Sequence, residues 1–212
     1  MTELTNQEIV LAGLDAVNAK QNVKVGEIGA TQFRKQLLER LTSLPKELQD
    51  ALKNGTAQIS DKQYYAMSLV TGTGCKVIKT KQPKDIGLAN FADGKIDNWF
   101  LCSAIRVLFA ETVATEADAK AARFQDHLPA AIANGTFTLK NNTKELITDM
   151  PVEVCSNAVS GYETNKGWGE YRLNNPKMIM PLKDNEFNFD FAGNVAAGAL
   201  KIILIGTEVK PF

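Results

Sequence analysis

The sequence predicts a mainly β fold, an antiparallel β-sandwich over residues 59–212 behind an α-helical N-terminal region at residues 1–58. Three observations predict it. In residues 186–191, Phe187, Phe189 and Phe191 alternate with Asn188 and Asp190, the period-2 pattern of a strand with one buried and one wet face. In residues 200–205 the run L-K-I-I-L-I is almost continuously apolar, which predicts a strand covered on both faces. About eight or nine strand signals follow residue 60 without regular helix alternation, which disfavours a parallel α/β sheet. A one-sided strand followed by a two-sided one is what two packed sheets need near their end. Residues 192–198, small and flexible, are expected to link the two, and Gly206 and Pro211 to stop the last strand.

At the N-terminus, residues 5–19 read as a helix. Ile9, Val10, Ala12, Gly13, Ala16 and Val17 form a small, apolar stripe, and Thr5 or Asn6 supplies the cap. Gly13 costs that helix about 1 kcal/mol relative to Ala, so it needs a partner surface to be ordered. After Gly26 and Gly29, Thr31 caps a second helix with Phe33, Leu37, Leu38 and Leu41 at helical spacing. Pro45 opens a further turn with Leu48, Ala51 and Leu52 inside, and Lys53-Asn54-Gly55 stops it.

From Gln58 the character changes. Tyr64, Tyr65, Met67, Leu69 and Val70 precede Thr71-Gly72-Thr73-Gly74, and residues 75–78 resume the apolar run, which predicts a hairpin about the Gly-rich turn. Gly72 and Gly74 do not make a phosphate loop, because neither the Walker spacing nor a third glycine opening a helix is present. Residues 97–113 are the longest strand candidate. Trp99, Leu101, Ile105, Val107 and Phe109 are assigned to one face, and Phe100, Cys102, Ala104, Leu108 and Ala110 to the other. From Trp99 to Glu111 such a strand spans about 43 Å, ordinary for a sandwich. Arg106, the charge inside it, is assigned an exposed or edge position, or pairing with Glu111.

Residues 115–126 read as a surface helix or an extended excursion, followed by His127-Leu128-Pro129. Residues 136–139 alternate, Asn141-Asn142 makes a turn, and residues 145–148 with 151–155 form a bent strand interrupted by Pro151. Residues 156–169 are a loop carrying Tyr162 and Trp168, and strands resume at 171–173 and 178–180. Leu44-Pro45 before Asn54-Gly55-Thr56, and Leu128-Pro129 before Asn134-Gly135-Thr136, show the same turn chemistry at each helix-to-strand change. The buried set is expected to include Trp99, Leu101, Ile105, Val107, Phe109, Phe187, Phe189, Ile202 and Leu204.

Composition narrows the function. With 44% apolar and 23% charged residues, the 212-residue chain is that of a soluble globular protein. Lys plus Arg equals Asp plus Glu at 24 each, so no global field draws it to nucleic acid or an acidic membrane. No stretch of about 18 apolar residues occurs, and the acidic start MTELTNQEIV does not resemble a signal peptide, so the chain reads as made in the cytosol. Cys75, Cys102 and Cys155 are widely spaced and His127 is the sole histidine, a poor set for zinc, so the thiols read as small reduced hydrophobes. Asp93 and Asp97, and Asp184, Glu186 and Asp190, sit in or beside turns where solvated charge is the default. No G-x-S-x-G elbow accompanies His127. No catalytic, cofactor-binding or metal residue is therefore assigned, and the chain reads as not an enzyme. Tyr162, Trp168 and Tyr171 are the candidates for stacking on sugar rings if they prove exposed; buried, they cap the sandwich.

The order IGLANF…KIDNWFLCSAIRVLF, LPAAIANGTFTLKNNTKELI…PVEV, YRLNNPKMIMPLKDNEFNFDF and LKIILIGTEVKP resembles the jelly-roll capsid proteins of tailless icosahedral bacteriophages over roughly residues 86–212. The closing G-x-E-x-K-P after an apolar strand is its most suggestive piece. The resemblance implies an antiparallel jelly-roll β-sandwich and a structural virion protein, a major or minor capsid component that self-assembles into a shell. Its partners would be copies of itself and other virion proteins, and its location the virion after synthesis in the host cytoplasm. Members of the family often carry two jelly rolls per chain, whereas this chain is short for two full ones, leaving a single jelly roll or a compact double barrel. The first forty residues hold Lys20, Lys24, Arg34 and Lys35 without a cluster, so direct nucleic-acid binding by this arm is not expected. A glycan-binding β-sandwich is the alternative.

Overall fold

The computed structural model describes residues 44–156 and 169–211. Expectations for helices before residue 44, and for Tyr162 and Trp168, lie outside the described residues. The chain divides into two compact units, Met1–Asp61 with Thr207–Phe212, and Lys62–Gly206. The described elements are α1 (Lys46–Lys53), β1 (Ala57–Lys76), β2 (Trp99–Glu111), α2 (Glu116–Ala121), α3 (Ala130–Ala133), β3 (Thr136–Asn141), β4 (Lys144–Pro151), a 3-10 turn (Val152–Cys155), β5 (Glu170–Ile179) and β6 (Asn185–Pro211). The fold is mainly β. Its six strands form an antiparallel sheet, nearly closed in a barrel-like sandwich, in the order β4-β3-β6-β2-β5 with β1 also paired to β6.

The two Leu-Pro segments adopt one local structure. Pro45 (φ −52°, ψ 142°) precedes α1 and Asn54 (φ −82°, ψ −4°) ends it; Pro129 (φ −54°, ψ 147°) precedes α3 and Asn134 (φ −80°, ψ 2°) ends it. In each, proline fixes φ before the first turn, and the amide N–H of the following glycine donates back to the helix, Gly55 to Leu52 at 3.3 Å and Gly135 to Ile132 at 2.9 Å. The glycines themselves serve different needs. Gly55 sits at φ +71°, in the left-handed region, whereas a Cβ at Gly135 would run into the carbonyl oxygen of Asp190. Between these segments, Thr115 and Asp118 form a capping box at the start of α2, which makes the excursion before His127 partly helical.

Several expected breaks are absent, so the strands are fewer and longer than the local signals suggest. β1 runs straight through residues 71–74 instead of turning back: Gly72 takes φ +94° within the strand, and the Val77 amide donates to the Phe187 carbonyl at 2.9 Å, keeping the chain beside β6. β6 likewise continues through residues 192–198 and past Gly206 as one strand of 27 residues. Its small residues meet a packing demand. A Cβ at Gly198 would enter the Phe109 ring, and one at Gly206 would land on the Leu101 carbonyl oxygen. Fully extended, 27 residues would reach about 90 Å. β6 therefore serves several neighbours in turn, pairing β3 over residues 185–190 and accepting the Thr112 amide at Ala197 further on, 3.1 Å away. Residues 171–173 and 178–179 belong to the single strand β5, which stops before Met180, and the strand expected over 151–155 is the end of β4 plus the 3-10 turn.

β2 departs from strict alternation. Its register against β5 slips between Cys102 and Ala104, where Ser103 stands opposite Leu173, Asn174, Asn175 and Pro176. The extra residues are on β5, which bulges there, while Cys102 and Ala104 remain two apart on β2. The main core takes Phe100 and Cys102 before this point, and Ile105, Val107 and Phe109, of opposite parity, after it. Trp99, assigned to the buried set, is only half-buried at the strand's first residue, while the other eight members of that set are buried. Ala110 turns to a second cluster with Met67, Leu88, Val113, Ala119 and Ala199.

The core is aromatic at its centre. Phe187, Phe189 and Phe191 are all buried, as the alternation predicts, and Phe137 on β3 lies opposite Phe189. Ring centroids are 5.2 Å apart for Phe137 and Phe187, and 5.1 Å for Phe187 and Phe189. Tyr64 meets Phe100 and Phe91 edge-on at 5.0 and 5.8 Å.

At the margin of this core lies a buried amide pair. Asn141 and Asn185 are opposite residues of β3 and β6, both fully buried. Asn141 Nδ2 donates to Asn185 Oδ1 at 2.9 Å, Asn185 Nδ2 donates to the Gly94 carbonyl at 2.9 Å, and the Met180 amide donates to Asn141 Oδ1 at 3.2 Å. Asn142, at φ +56°, makes the hairpin turn, so only the second residue of the expected Asn-Asn turn turns the chain. Replacing Asn185 by Ala removes a partner from Asn141 in a buried site and is expected to cost about 1–3 kcal/mol. Urea denaturation measures it; a change below about 0.5 kcal/mol would mean that water reaches the pair.

Candidate functional site

The acids singled out by sequence lie at or near the surface, and the segments carrying Asp93 and Asp184 run side by side through the Lys95–Asp184 bridge. Asp93, at φ +54°, Asp97 and Asp190 are exposed. Asp184 lies 3.6 Å from Lys95, and Glu186 lies 2.8 Å from Lys76, whose hydrogen bond and charge hold the Glu186 carboxyl below its ordinary pKa. Each therefore faces a lysine or solvent. His127 is exposed beside buried Leu128. Burial pushes the Cys102 and Cys155 thiols up to about 12 and raises that of Cys75, the opposite of what a thiolate nucleophile needs. Among the described residues no group of three His, Cys, Asp or Glu side chains is placed to hold a metal ion. Gly72 and Gly74 lie within β1 with no helix opening after them.

Arg106 is half-buried on β2. Its partner across the strands is Glu170 rather than Glu111, and its Nε is buried without a hydrogen bond; Glu170 instead accepts from Arg172 Nε at 3.3 Å. Of the aromatic trio, Tyr171 is described. It is half-buried on β5 opposite Ile105, packed against the main core, so its ring is part of the scaffold.

The structure adds a cluster that composition did not single out. On β6 the apolar run does not have two equally buried faces. Leu200, Ile202 and Leu204 are fully buried, whereas Lys201, Ile203 and Ile205 are half-buried. Lys201 is held over two rings, with Nζ 4.6 Å from the centroid of Tyr65 on β1 and 5.6 Å from that of Phe124, which follows α2. The ring faces offset part of the cost of removing an ammonium from water. The sequence signal was the lysine interrupting the apolar run L-K-I-I-L-I.

Burial lowers the Lys201 pKa from its ordinary 10.5, so the fold disfavours the charged form. The sign follows. While the amine is charged in both states the penalty is fully present, and stability rises as pH climbs from the lowered value towards 10.5, where the unfolded chain holds the proton longer. In Lys201→Met this rise is expected to vanish. Denaturation of both proteins at neutral and alkaline pH is the check, and parallel profiles would show that Lys201 is solvated.

The ends of the strand order are blunted. β4 carries Lys144, Glu145 and Asp149 and ends at Pro151, and β5 carries Glu170, Arg172 and Pro176. Charge and proline on an end strand discourage addition of another strand.

The chain matches no protein-family model, and no curated protein matches it. Among the described residues, no helix is long and apolar enough to cross a membrane.

Proposed function

We propose that this chain is a structural virion protein, a capsid component that self-assembles into an icosahedral phage shell, with its sheet a jelly-roll sandwich behind a helical N-terminal region. The observation that carries this reading is the nearly closed antiparallel sheet with blunted end strands, built around a buried aromatic core. A shell subunit needs a rigid, soluble body whose contacts are made by side-chain surfaces rather than by open strand edges. The resemblance of residues 86–212 to jelly-roll capsid proteins supports the same assignment, and the scaffold position of Tyr171 weighs against a sugar-stacking platform.

The test is assembly. The purified full-length protein is expected to sediment as a high oligomer, and electron microscopy to show closed particles. Deletion of residues 1–20, which removes the apolar stripe through Ile9, Ala12, Gly13, Ala16 and Val17, is expected to leave a folded monomer with its β circular dichroism retained. A full-length protein that stays monomeric at high concentration across salt and pH overturns the proposal.

A further inference from the structure

We draw no further inference here: the strongest candidate, the exposed apolar side chains of Ile86 in the turn between β1 and β2 and of Leu182 in the turn before β6, is two separate surface residues, and nothing in the structure shows what covers them.

Discussion

Phe189→Ala is expected to lower the free energy of unfolding by about 3–5 kcal/mol, much of the roughly 5–15 kcal/mol that holds a typical domain together. Phe189 is 2% exposed, and its ring centroid lies 5.1 Å from that of Phe187, 5.8 Å from Phe137 and 6.3 Å from Phe191. Removing the ring forfeits both its transfer from water and its contacts with three aromatic neighbours. The site has little freedom to collapse, because β6 is tied there to β3 in continuous register from Asn185 to Asp190. Ile202, on the later part of the same strand and 1% exposed, predicts a loss of about 2–5 kcal/mol on truncation to Ala. Urea denaturation at constant m-value reads both. A loss below about 0.5 kcal/mol at either position would place that side chain on the wrong face of β6.

Gly206→Ala is the second large effect. The added Cβ would land on the carbonyl oxygen of Leu101, with the Leu101 carbonyl carbon at 2.9 Å and Cys102 Cα at 3.0 Å. Overpacking against movable side chains costs about 1–3 kcal/mol; here the neighbour is the backbone of β2, so a loss of at least about 3 kcal/mol is expected. Gly193 provides the control. Its Cβ would sit 3.5 Å from the Ala131 Cβ, an ordinary contact, and Gly193→Ala is expected to change stability by less than about 0.5 kcal/mol. Equal stabilities for the two variants would mean that β6 does not approach β2 at Gly206 as closely as described.

Of the candidate site, the sequence made legible the side chains with a strong local environment. The acids beside turns face lysines or solvent, and Cys102 and Cys155 are buried. Lys201 was visible only as an anomaly in an apolar run. Its ring partners come from β1 and from the segment after α2, and no spacing rule links residues 65, 124 and 201. Arg106 shows the same limit: Glu111 was its neighbour in the chain, whereas the register of β2 on β5 puts Glu170 opposite it.

By itself the sequence determined the β class, the one-sided face of residues 186–191, the end of α1 at Asn54-Gly55 and the reuse of Leu-Pro and Asn-Gly-Thr around α1 and α3. Each of these is set within a few residues, by side-chain alternation or by the backbone preferences of proline, asparagine and glycine. Only the tertiary structure decided where strands continue. Gly72 and Gly74, the small residues 192–198 and Gly206 read locally as turns, links and stops, yet all lie within strands. Glycine and alanine are ambiguous in this way because lacking a bulky side chain permits a turn and also permits close approach. The carbonyl of Phe187, the ring of Phe109 and the carbonyl of Leu101 resolve that ambiguity, and each comes from a distant part of the chain. In β2 likewise, no local signal places Phe100 and Ile105, of opposite parity, in one core; the tertiary packing does.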